Sequence, residues 1–471
     1  MQVGRETSRW IVQSAAAIGM PLLVGTLSAQ VQAPALPGAH PISASDRVYT
    51  ADQTSNTVSV ISPVTNELLG TIALGNARPD AILDPNYHKQ INVHGLGFSK
   101  DGSMIDVISV TTNAATIIQT ATNKVLGTVY LGRAPHEGFF TPDGRELWVA
   151  VRGENYVSVI DVEKMREVRR IETCDGASKV VFRPDGKVAF VDCTRAAELV
   201  VVNVESHDVV KRVYGIADKF TSDLEVSPDG KEVWLPHKMI GKLTIVDAQA
   251  FRVLGIISTG PDVNHPNFVS KPDGDYAYLT VGGIDKVNVY RRDGGHPRLI
   301  TQIPTGAVPH GIWPSPDNTR VYVALQNQDA VQVIDTKIDK VIHTIKIGQD
   351  PQALVYVANA VPSGGGDENL GHQNVGFPVI PFTQKLAGSG VATVVIRHLV
   401  GVDAVQVEVR DATPGQEYHI FATKSDGDND GDGGRLLIGE FRADAQGRGG
   451  ITAEFAFFEG GYKGAIIAPA E

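Results

Sequence analysis

Short apolar stretches that alternate with polar positions recur along most of the chain. The same phrase returns as TVSVIS, YVSVID, KLTIVD, KVNVY and AVQVID. Because the side chains of a strand point alternately to opposite faces, each stretch predicts a strand packed between two layers. In the repeat around residue 140, the pattern predicts four strands, at 137–141, 146–151, 156–161 and 167–171.

A turn phrase of the Pro-Asp-Gly type follows the first strand of each repeat. Its aspartates are spaced by 42 or 44 residues and are Asp101, Asp143, Asp185, Asp229, Asp273 and Asp317. A period of about 40–45 residues with four strands per unit is typical of a β-propeller. The sequence therefore predicts an all-β fold that begins with a seven-bladed β-propeller over residues 46–358. A last strand at 352–357 is expected to pair with the strand near Arg47 and close the ring.

The phrases RVYTADQTSNTVSVIS, ELWVAVRGENYVSVID and RVYVALQNQDAVQVID resemble the YVTN-type repeat of exported prokaryotic β-propellers. The resemblance covers nearly the whole ring. It extends loosely to the propeller of nitrous oxide reductase and to those of some lactonases and lyases. It implies an exported propeller that serves either as a binding platform or as an enzyme.

A second pattern follows the repeats. A Gly/Pro-rich segment at 359–385 is predicted to be a linker. Residues 386–471 then contain six alternating stretches: VATVVIR, AVQVEVR, EYHIFAT, RLLIGEF, GITAEFAF and GAIIAP. Strands of this length separated by turn residues predict a small C-terminal β-sandwich.

The N-terminus and the overall charge limit where the protein works. Residues 1–33 combine Arg5 and Arg9 with an apolar stretch at 10–27, which predicts a signal peptide and a periplasmic or secreted protein. Gly19 and Pro21 interrupt that stretch, which disfavours an uncleaved membrane span. The net charge of −11, without a basic run, argues against nucleic-acid binding.

Two cysteines, Cys174 and Cys193, lie in one repeat. The hairpin at Asp185 is expected to pair residue 178 with residue 193, which puts both thiols on the same side of the propeller. In an exported protein these thiols form a disulfide or stay free and buried, and the sequence leaves both alternatives open.

Four histidines share a position in the repeat. His94, His136 and His310 lie seven residues before the turn aspartate, and His265 lies eight residues before it. This position precedes the innermost strand, so the four imidazoles are expected to face the central channel. Imidazoles from separate blades bind copper, iron or zinc, which makes these residues candidate ligands of a copper or iron centre. The alternative is a structural role, because Pro-His-Gly also serves as a turn in such repeats.

Other polar residues are candidates for catalysis or metal binding. His237, Glu137 and Asp223 are expected near the same channel mouth, where a carboxylate beside an imidazole acts as a general base or orients a ligand. An insertion at 76–93 carries Asp80, Asp84 and His88, and insertions in repeats tend to mark a functional face. A calcium loop is suggested by alternating acids, although Leu437 stands where an EF-hand has its last glutamate. These acids are Asp426, Asp428, Asp430 and Asp432.

Three functional hypotheses follow. The preferred one is an exported binding or scaffold protein that recognises a small molecule or a cell-envelope protein on the propeller face. The second is a copper- or iron-dependent oxidoreductase with a histidine centre on the axis. The third is a lyase or lactonase with a channel histidine as base. The binding hypothesis comes first because each catalytic signal also has an explanation in the repeat itself.

Overall fold

The structure, a computed structural model, describes residues 40–75, 90–399, 402–424 and 435–470. The predicted signal peptide and the predicted calcium loop lie outside these residues. So do three residues of the insertion, Asp80, Asp84 and His88. Within them the fold is nearly all-β, and its one helical element is a short 3-10 turn at Gly282–Ile284. No helix in the described part of the chain is long and apolar enough to cross a membrane.

The described residues between 47 and 357 form seven four-stranded antiparallel sheets. Each sheet is built from consecutive strands joined by tight turns, apart from the first, which combines β1–β3 with β28. In chain order the strands are β1 (Arg47–Asp52), β2 (Thr57–Ser62), β3 (Glu67–Ala73), β4 (Val93–Phe98), β5 (Met104–Ser109), β6 (Ala114–Gln119), β7 (Lys124–Tyr130), β8 (Pro135–Phe140), β9 (Glu146–Val151), β10 (Tyr156–Asp161), β11 (Arg166–Glu172), β12 (Ala177–Phe182), β13 (Val188–Cys193), β14 (Glu198–Asn203), β15 (Val209–Tyr214), β16 (Glu225–Val226), β17 (Glu232–His237), β18 (Lys242–Asp247), β19 (Arg252–Ser258), β20 (Val263–Lys271), β21 (Gly274–Val281), β22 (Lys286–Arg291), β23 (Arg298–Pro304), β24 (Pro309–Pro314), β25 (Arg320–Leu325), β26 (Ala330–Asp335), β27 (Lys340–Lys346) and β28 (Pro351–Val357).

The sheets are arranged in a cycle. The first strand of each sheet, β4, β8, β12, β16, β20 or β24, contacts the first strand of the next, and β24 and β4 both contact β28. Strand β28 pairs antiparallel with β1, with Arg47 opposite Val357 and Thr50 opposite Leu354. The expected pairing of the last strand with the first is therefore present. Sheets packed around an axis in this way make a β-propeller.

The innermost strands are irregular where they begin. In the sheet of β12 and β13, Val180 pairs with Val191 as the turn predicts, but a β-bulge shifts the register so that Ala177, rather than residue 178, faces Cys193. A bulge puts an extra residue into one strand, and the alternation of side chains used in the sequence prediction does not hold across it. Cys174 and Cys193 form a disulfide, with their Cα atoms 6.1 Å apart, which resolves the alternative that the sequence left open.

Aromatic rings fill the axis below the bulges. The ring centroids of Phe98 and Trp313 are 5.5 Å apart, and Phe139 lies 6.4 Å from both. All three side chains are buried. Phe98 packs edge-to-face against both of the other rings, which is a favourable arrangement, and the three rings form an apolar layer.

The C-terminal residues form two further sheets. One has the strand order β29-β30-β31-β34 and the other β33-β32-β35. One hydrophobic cluster takes side chains from both sheets, among them Val407 and Ile420. The strands are β29 (Val379–Lys385), β30 (Val391–His398), β31 (Asp403–Arg410), β32 (Glu417–Thr423), β33 (Arg435–Arg442), β34 (Gly449–Phe455) and β35 (Gly464–Pro469).

The segment predicted as a linker is not a free connection. It ends in β29, and its earlier part lies against the propeller. The side-chain amide nitrogen of Asn123 donates to the carbonyls of Gly366 and Glu368, each at 3.0 Å, and Gly371 forms an isolated bridge with Thr71. These contacts to the main chain of the segment hold it along the outside of the first two sheets.

The C-terminal sheets rest on the end of the propeller where the innermost strands begin. Buried Arg397 places its Nε 2.9 Å from Oδ1 of buried Asp329, and Gln349 donates to the carbonyl of His398 at 2.6 Å. Asp329 and Gln349 lie in the loops before β26 and before β28, which are at this end. The same end carries the histidine positions.

Replacing Arg397 with alanine tests how strongly this contact holds. The substitution leaves Asp329 buried without its cation, which should lower the free energy of unfolding by about 3 kcal/mol. Urea unfolding followed by tryptophan fluorescence measures the loss. Arg442→Ala is the control, because it removes an exposed partner of Glu417 and should cost less than about 1 kcal/mol. Equal losses in the two variants would contradict the role given to Arg397.

Candidate functional site

The four candidate histidines lie together at this end of the channel, in two pairs. The ring centroids of His94 and His136 are 4.3 Å apart, and those of His265 and His310 are 4.6 Å apart. Each histidine falls inside the β-bulge at the start of its strand, β4, β8, β20 or β24. Bulges re-aim side chains, and here they turn neighbouring residues of one strand toward the same space.

Burial keeps three of these imidazoles neutral. Loss of water lowers the pKa of His94 to about 3, with the charge of Arg152 adding to the effect. Burial likewise lowers the pKa of His136 and of His310 well below the ordinary value, with help from Arg152 at the first and from His265 at the second. A neutral imidazole keeps one ring nitrogen as an acceptor, which a metal ligand or a base requires.

Hydrogen bonds to neighbouring sheets orient the rings. Nδ1 of His136 lies 3.1 Å from the carbonyl oxygen of Ser178, and Nδ1 of His310 lies 3.0 Å from that of Gln352. When Nδ1 donates to such a carbonyl, Nε2 is left with the lone pair. At His136 a second contact competes, because the Arg152 guanidinium lies 3.0 Å from the same Nδ1 and can only donate. If Nδ1 donates to the Ser178 carbonyl, the ring proton is on Nδ1. If Nδ1 accepts from Arg152, the proton is on Nε2.

Glycine follows two of these histidines because the neighbouring strand is close. A Cβ on Gly95 would lie 2.2 Å from the carbonyl oxygen of His136, and a Cβ on Gly311 would lie 2.6 Å from that of Gln352. Only glycine fits such an approach. The His-Gly pairing thus has a packing reason, whatever the imidazole does chemically.

A buried lysine lies among carboxylates next to the histidines. Nζ of Lys179, a residue only 4% exposed, is 2.7 Å from Asp223, 3.3 Å from Glu137 and 3.8 Å from Glu225. Burial opposes the charge of this lysine, but the carboxylates outweigh it and raise its pKa. The lysine is therefore a fixed positive charge inside the channel.

The acids around Lys179 have separated pKa values. Burial disfavours the charged form of Asp223, yet His265 at 2.9 Å and Lys179 together lower its pKa to about 2. Burial raises the pKa of Glu225 to about 8. At neutral pH Asp223 is thus a carboxylate and Glu225 a protonated acid. Active sites often separate the pKa values of neighbouring acids in this way.

In this centre, two sets of three side chains bring possible ligand atoms within 4.8 Å of one another. One set is His94, His136 and Glu137, and the other is Glu137, Asp223 and His265. His310, which the sequence grouped with the other histidines, belongs to neither set, so the geometry does not reproduce a four-histidine centre. Glu137 is common to both sets, with Oε1 turned toward His136 at 3.8 Å and Oε2 toward Lys179.

His237 does not join this centre, contrary to expectation. Its Nε2 lies 2.7 Å from the Thr244 hydroxyl of the next strand, and its Nδ1 lies 3.4 Å from the carbonyl oxygen of Phe220. Strand β16 is only two residues long, so Asp223 precedes it and turns toward Lys179 and His265 instead. Of the three proposed catalytic residues, Glu137 and Asp223 lie in the centre and His237 lies outside it.

The sequence prediction missed Lys179, although a signal was present. Glu137, Lys179 and Asp223 each lie six residues before their turn aspartates, one position after the histidine register. Three ionisable residues at one register position of consecutive repeats indicate a shared polar site. The prediction named Glu137 and Asp223 from this position but did not extend to Lys179 of the repeat between them.

The space inside the centre is small. A cavity of about 10 Å³ is lined by Glu137, Lys179, Asp223, Glu225 and His265, among others, and the aromatic residues Phe139 and Trp313 form part of its wall. That volume holds about one water molecule. The cavity is therefore too small for a ligand larger than a water molecule.

Comparisons with known proteins agree with the fold. No family model matches the chain. The β subunit of hydrazine synthase from Kuenenia stuttgartiensis is 27% identical over 232 residues, which cover 39% of this chain and 60% of the relative. The match thus spans about three fifths of that relative's length.

Solved structures of other β-propellers resemble this one. The periplasmic gluconolactonase PpgL of Pseudomonas aeruginosa superposes with a TM-score of 0.54 at 18% identity, over 66% of this chain and 99% of that one. The dihydro-haem d1 dehydrogenase NirN, solved in complex with DHE, gives a TM-score of 0.51 at 14% identity, over 80% and 74% of the two chains. At these identities the likeness establishes the class, a β-propeller protein, and nothing about chemistry.

Replacing Glu225 with glutamine tests the charge balance of the centre. The folded-state pKa of Glu225, about 8, lies above the unfolded value of about 4.3, so the native protein loses stability as pH rises between them. Glu225→Gln removes this loss. Its stability relative to the unchanged protein should therefore grow by about 1.4 kcal/mol per pH unit. Urea unfolding at pH 5, 6 and 7 measures the trend.

The matched control is Glu163→Gln, which changes an exposed glutamate on the outside of the ring. Its difference from the unchanged protein should stay flat over the same pH range. A flat difference for Glu225→Gln as well would refute the raised pKa.

Proposed function

We propose that this protein is an exported β-propeller that binds a small molecule at the histidine end of its channel, with a copper or iron ion held by His94, His136 and Glu137 as the contact group. The observation that carries the proposal is the 4.8 Å grouping of these three side chains, two of which burial keeps neutral. Two imidazoles and one carboxylate form a donor set typical of non-haem iron(II) with open positions, which makes iron the first candidate.

The charges around this donor set bear on the ligand. Lys179 is a buried cation and Arg152 a partly buried one, and Lys238 contributes positive charge at His94 and His310. Asp223 balances one of these charges, while Glu225 is protonated at neutral pH. A metal ion in this setting would be stabilised by an anionic further ligand, so the proposed small molecule carries a negative charge.

Export is supported by two observations. The disulfide between Cys174 and Cys193 is typical of an oxidising compartment. PpgL, similar in fold, is described as periplasmic. We therefore retain the signal peptide at 1–33 and a periplasmic or secreted location as part of the proposal, together with the YVTN-type repeat assignment.

The domain division is also proposed. We take the seven sheets as seven blades of one ring over about 46–358. The two C-terminal sheets are taken as one β-sandwich, which begins at β29 rather than at residue 386. A calcium ion at Asp426, Asp428, Asp430 and Asp432 remains a separate hypothesis.

Metal analysis tests the main proposal. Protein exported natively and purified without a histidine tag should contain about one copper or iron ion per chain by inductively coupled plasma mass spectrometry. The double variant His94→Ala, His136→Ala should lose it, because two of three ligands are gone. His343→Ala, which removes an exposed histidine on β27, should keep the metal. Absence of metal from the unchanged protein, or its retention in the double variant, would overturn the assigned centre.

A metal-free lyase or lactonase is the second candidate, and one contact favours it. Nδ1 of His265 lies 2.9 Å from Oδ2 of Asp223, which is ionised and held by Lys179. A carboxylate in this position fixes the tautomer of an imidazole that acts as general base through Nε2. Lactone turnover by metal-depleted protein, abolished in His265→Gln, would support this candidate over the first.

A further inference from the structure

A cleft separates the C-terminal sheets from the propeller next to the histidine end. Its volume is about 720 Å³, which falls within the range of about 300–1,000 Å³ for small-molecule sites. The propeller side is formed by the loops before β16, after β17 and after β19, and the opposite side by β30, β31 and the start of β34. Small-molecule sites occur preferentially at such junctions between structural units.

The propeller side of the cleft includes a group of apolar side chains. Met239 and Ile240, at the tip of the loop after β17, are 40% and 43% exposed. Phe220 and Pro261 line the cleft beside them. A group of apolar side chains that faces a cavity favours contact with an apolar part of a ligand. A single exposed apolar side chain would not indicate a binding site.

A lysine lies between this apolar side and the channel. Lys238 lines both the large cleft and a smaller cavity of about 30 Å³, and the two cavities share Asp262 and Arg410. The smaller cavity is also lined by Val308, which lies two residues before His310 in the loop that leads into β24. Among the described residues its ammonium group has no hydrogen-bond or ion-pair partner.

The opposite side of the cleft carries charges of both signs. Glu408 and Asp411 lie there, on β31 and just after it, together with Arg410 and Arg448. Arg410 pairs with Asp262 and Arg448 donates to a main-chain carbonyl, so among the described residues Lys238 is the cation of the cleft that has no partner. The carboxyl groups can accept hydrogen bonds from hydroxyl or amino groups of a ligand.

Contacts between the two units hold the cleft open in one shape. Arg410 of β31 donates to Asp262 at 2.5 Å and to the carbonyl of Gly283 at 2.9 Å. Arg448, just before β34, donates to the carbonyl of Met239 at 2.6 Å. A cavity fixed in this way needs little reorganisation on binding, which favours affinity.

We propose that this cleft binds a small molecule with one negative charge and an apolar body, with the anionic group on Lys238 and the apolar part against Met239 and Ile240. The inference rests on the proposed function only in placing the ligand at the histidine end, and it requires no metal. A ligand anchored on Lys238 would lie beside the loop that leads into β24 and His310. The charge and the apolar surface of the cleft would then determine which small molecule binds next to the histidine centre.

Two fluorescent probes with the same rings test the proposal. 8-Anilinonaphthalene-1-sulfonate carries one negative charge, and N-phenyl-1-naphthylamine carries none. Titration of the mature protein should give an affinity for the sulfonate about tenfold higher than for the neutral probe, since an ion pair to Lys238 adds to the same apolar contact. Lys238→Gln should remove this difference and leave the affinity for the neutral probe unchanged. Ile240→Asp should weaken binding of both probes.

Matched variants and a second readout keep the outcomes separate. Lys231→Gln changes an exposed lysine at the opposite end of the same sheet and should bind both probes like the unchanged protein. Equal sulfonate affinity in Lys238→Gln and Lys231→Gln, or no effect of Ile240→Asp, would overturn the proposal. Metal content is measured on the same samples. Normal probe binding by protein without metal would refute the metal centre alone and leave the cleft site standing.

Discussion

The antiparallel pairing of β28 with β1 is the contact on which the rest of the structure depends. It joins the last innermost strand to the first sheet, so that the sheets form a cycle and β1 has no exposed edge. Closure forces the starts of all the innermost strands toward one axis. Groups that are 42 to 46 residues apart in the chain, such as Lys179 and Asp223, thereby come within hydrogen-bond distance.

Crowding around the axis excludes water, and the ionisable groups there respond in two ways. The imidazoles of His94, His136 and His310 are neutral because burial lowers their pKa values, and the carbonyl contacts of His136 and His310 are too weak to offset the loss of water. The acids instead gather around Lys179, which keeps Asp223 ionised while Glu225 holds its proton. Neutral nitrogen donors and fixed charges thus lie side by side. This is the combination that metal binding, base catalysis and recognition of an anion all use.

The C-terminal sheets complete this end of the molecule. Arg397 and Arg410 attach them to propeller loops at the histidine end, and a cleft remains between the two units. The aromatic residues Phe98, Phe139 and Trp313 pack together farther along the innermost strands. Both structural units therefore border the space next to the histidine end.

The sequence by itself determined the strands, their period and the closing strand, because these follow from local alternation and from turns that repeat at fixed spacing. It also placed four histidines at one level, since register within a repeat carries over to every repeat. Only the tertiary structure decided that Glu137 turns toward His136, that Lys179 belongs with three acids, and that His237 turns away to Thr244. The physical reason is that bulges at the strand starts break the alternation, and that distances across the axis are set by the closed ring. The position of the C-terminal sheets could not be predicted from the sequence either. The sequence does not show which residue a charged side chain such as Arg397 will pair with in a distant part of the fold.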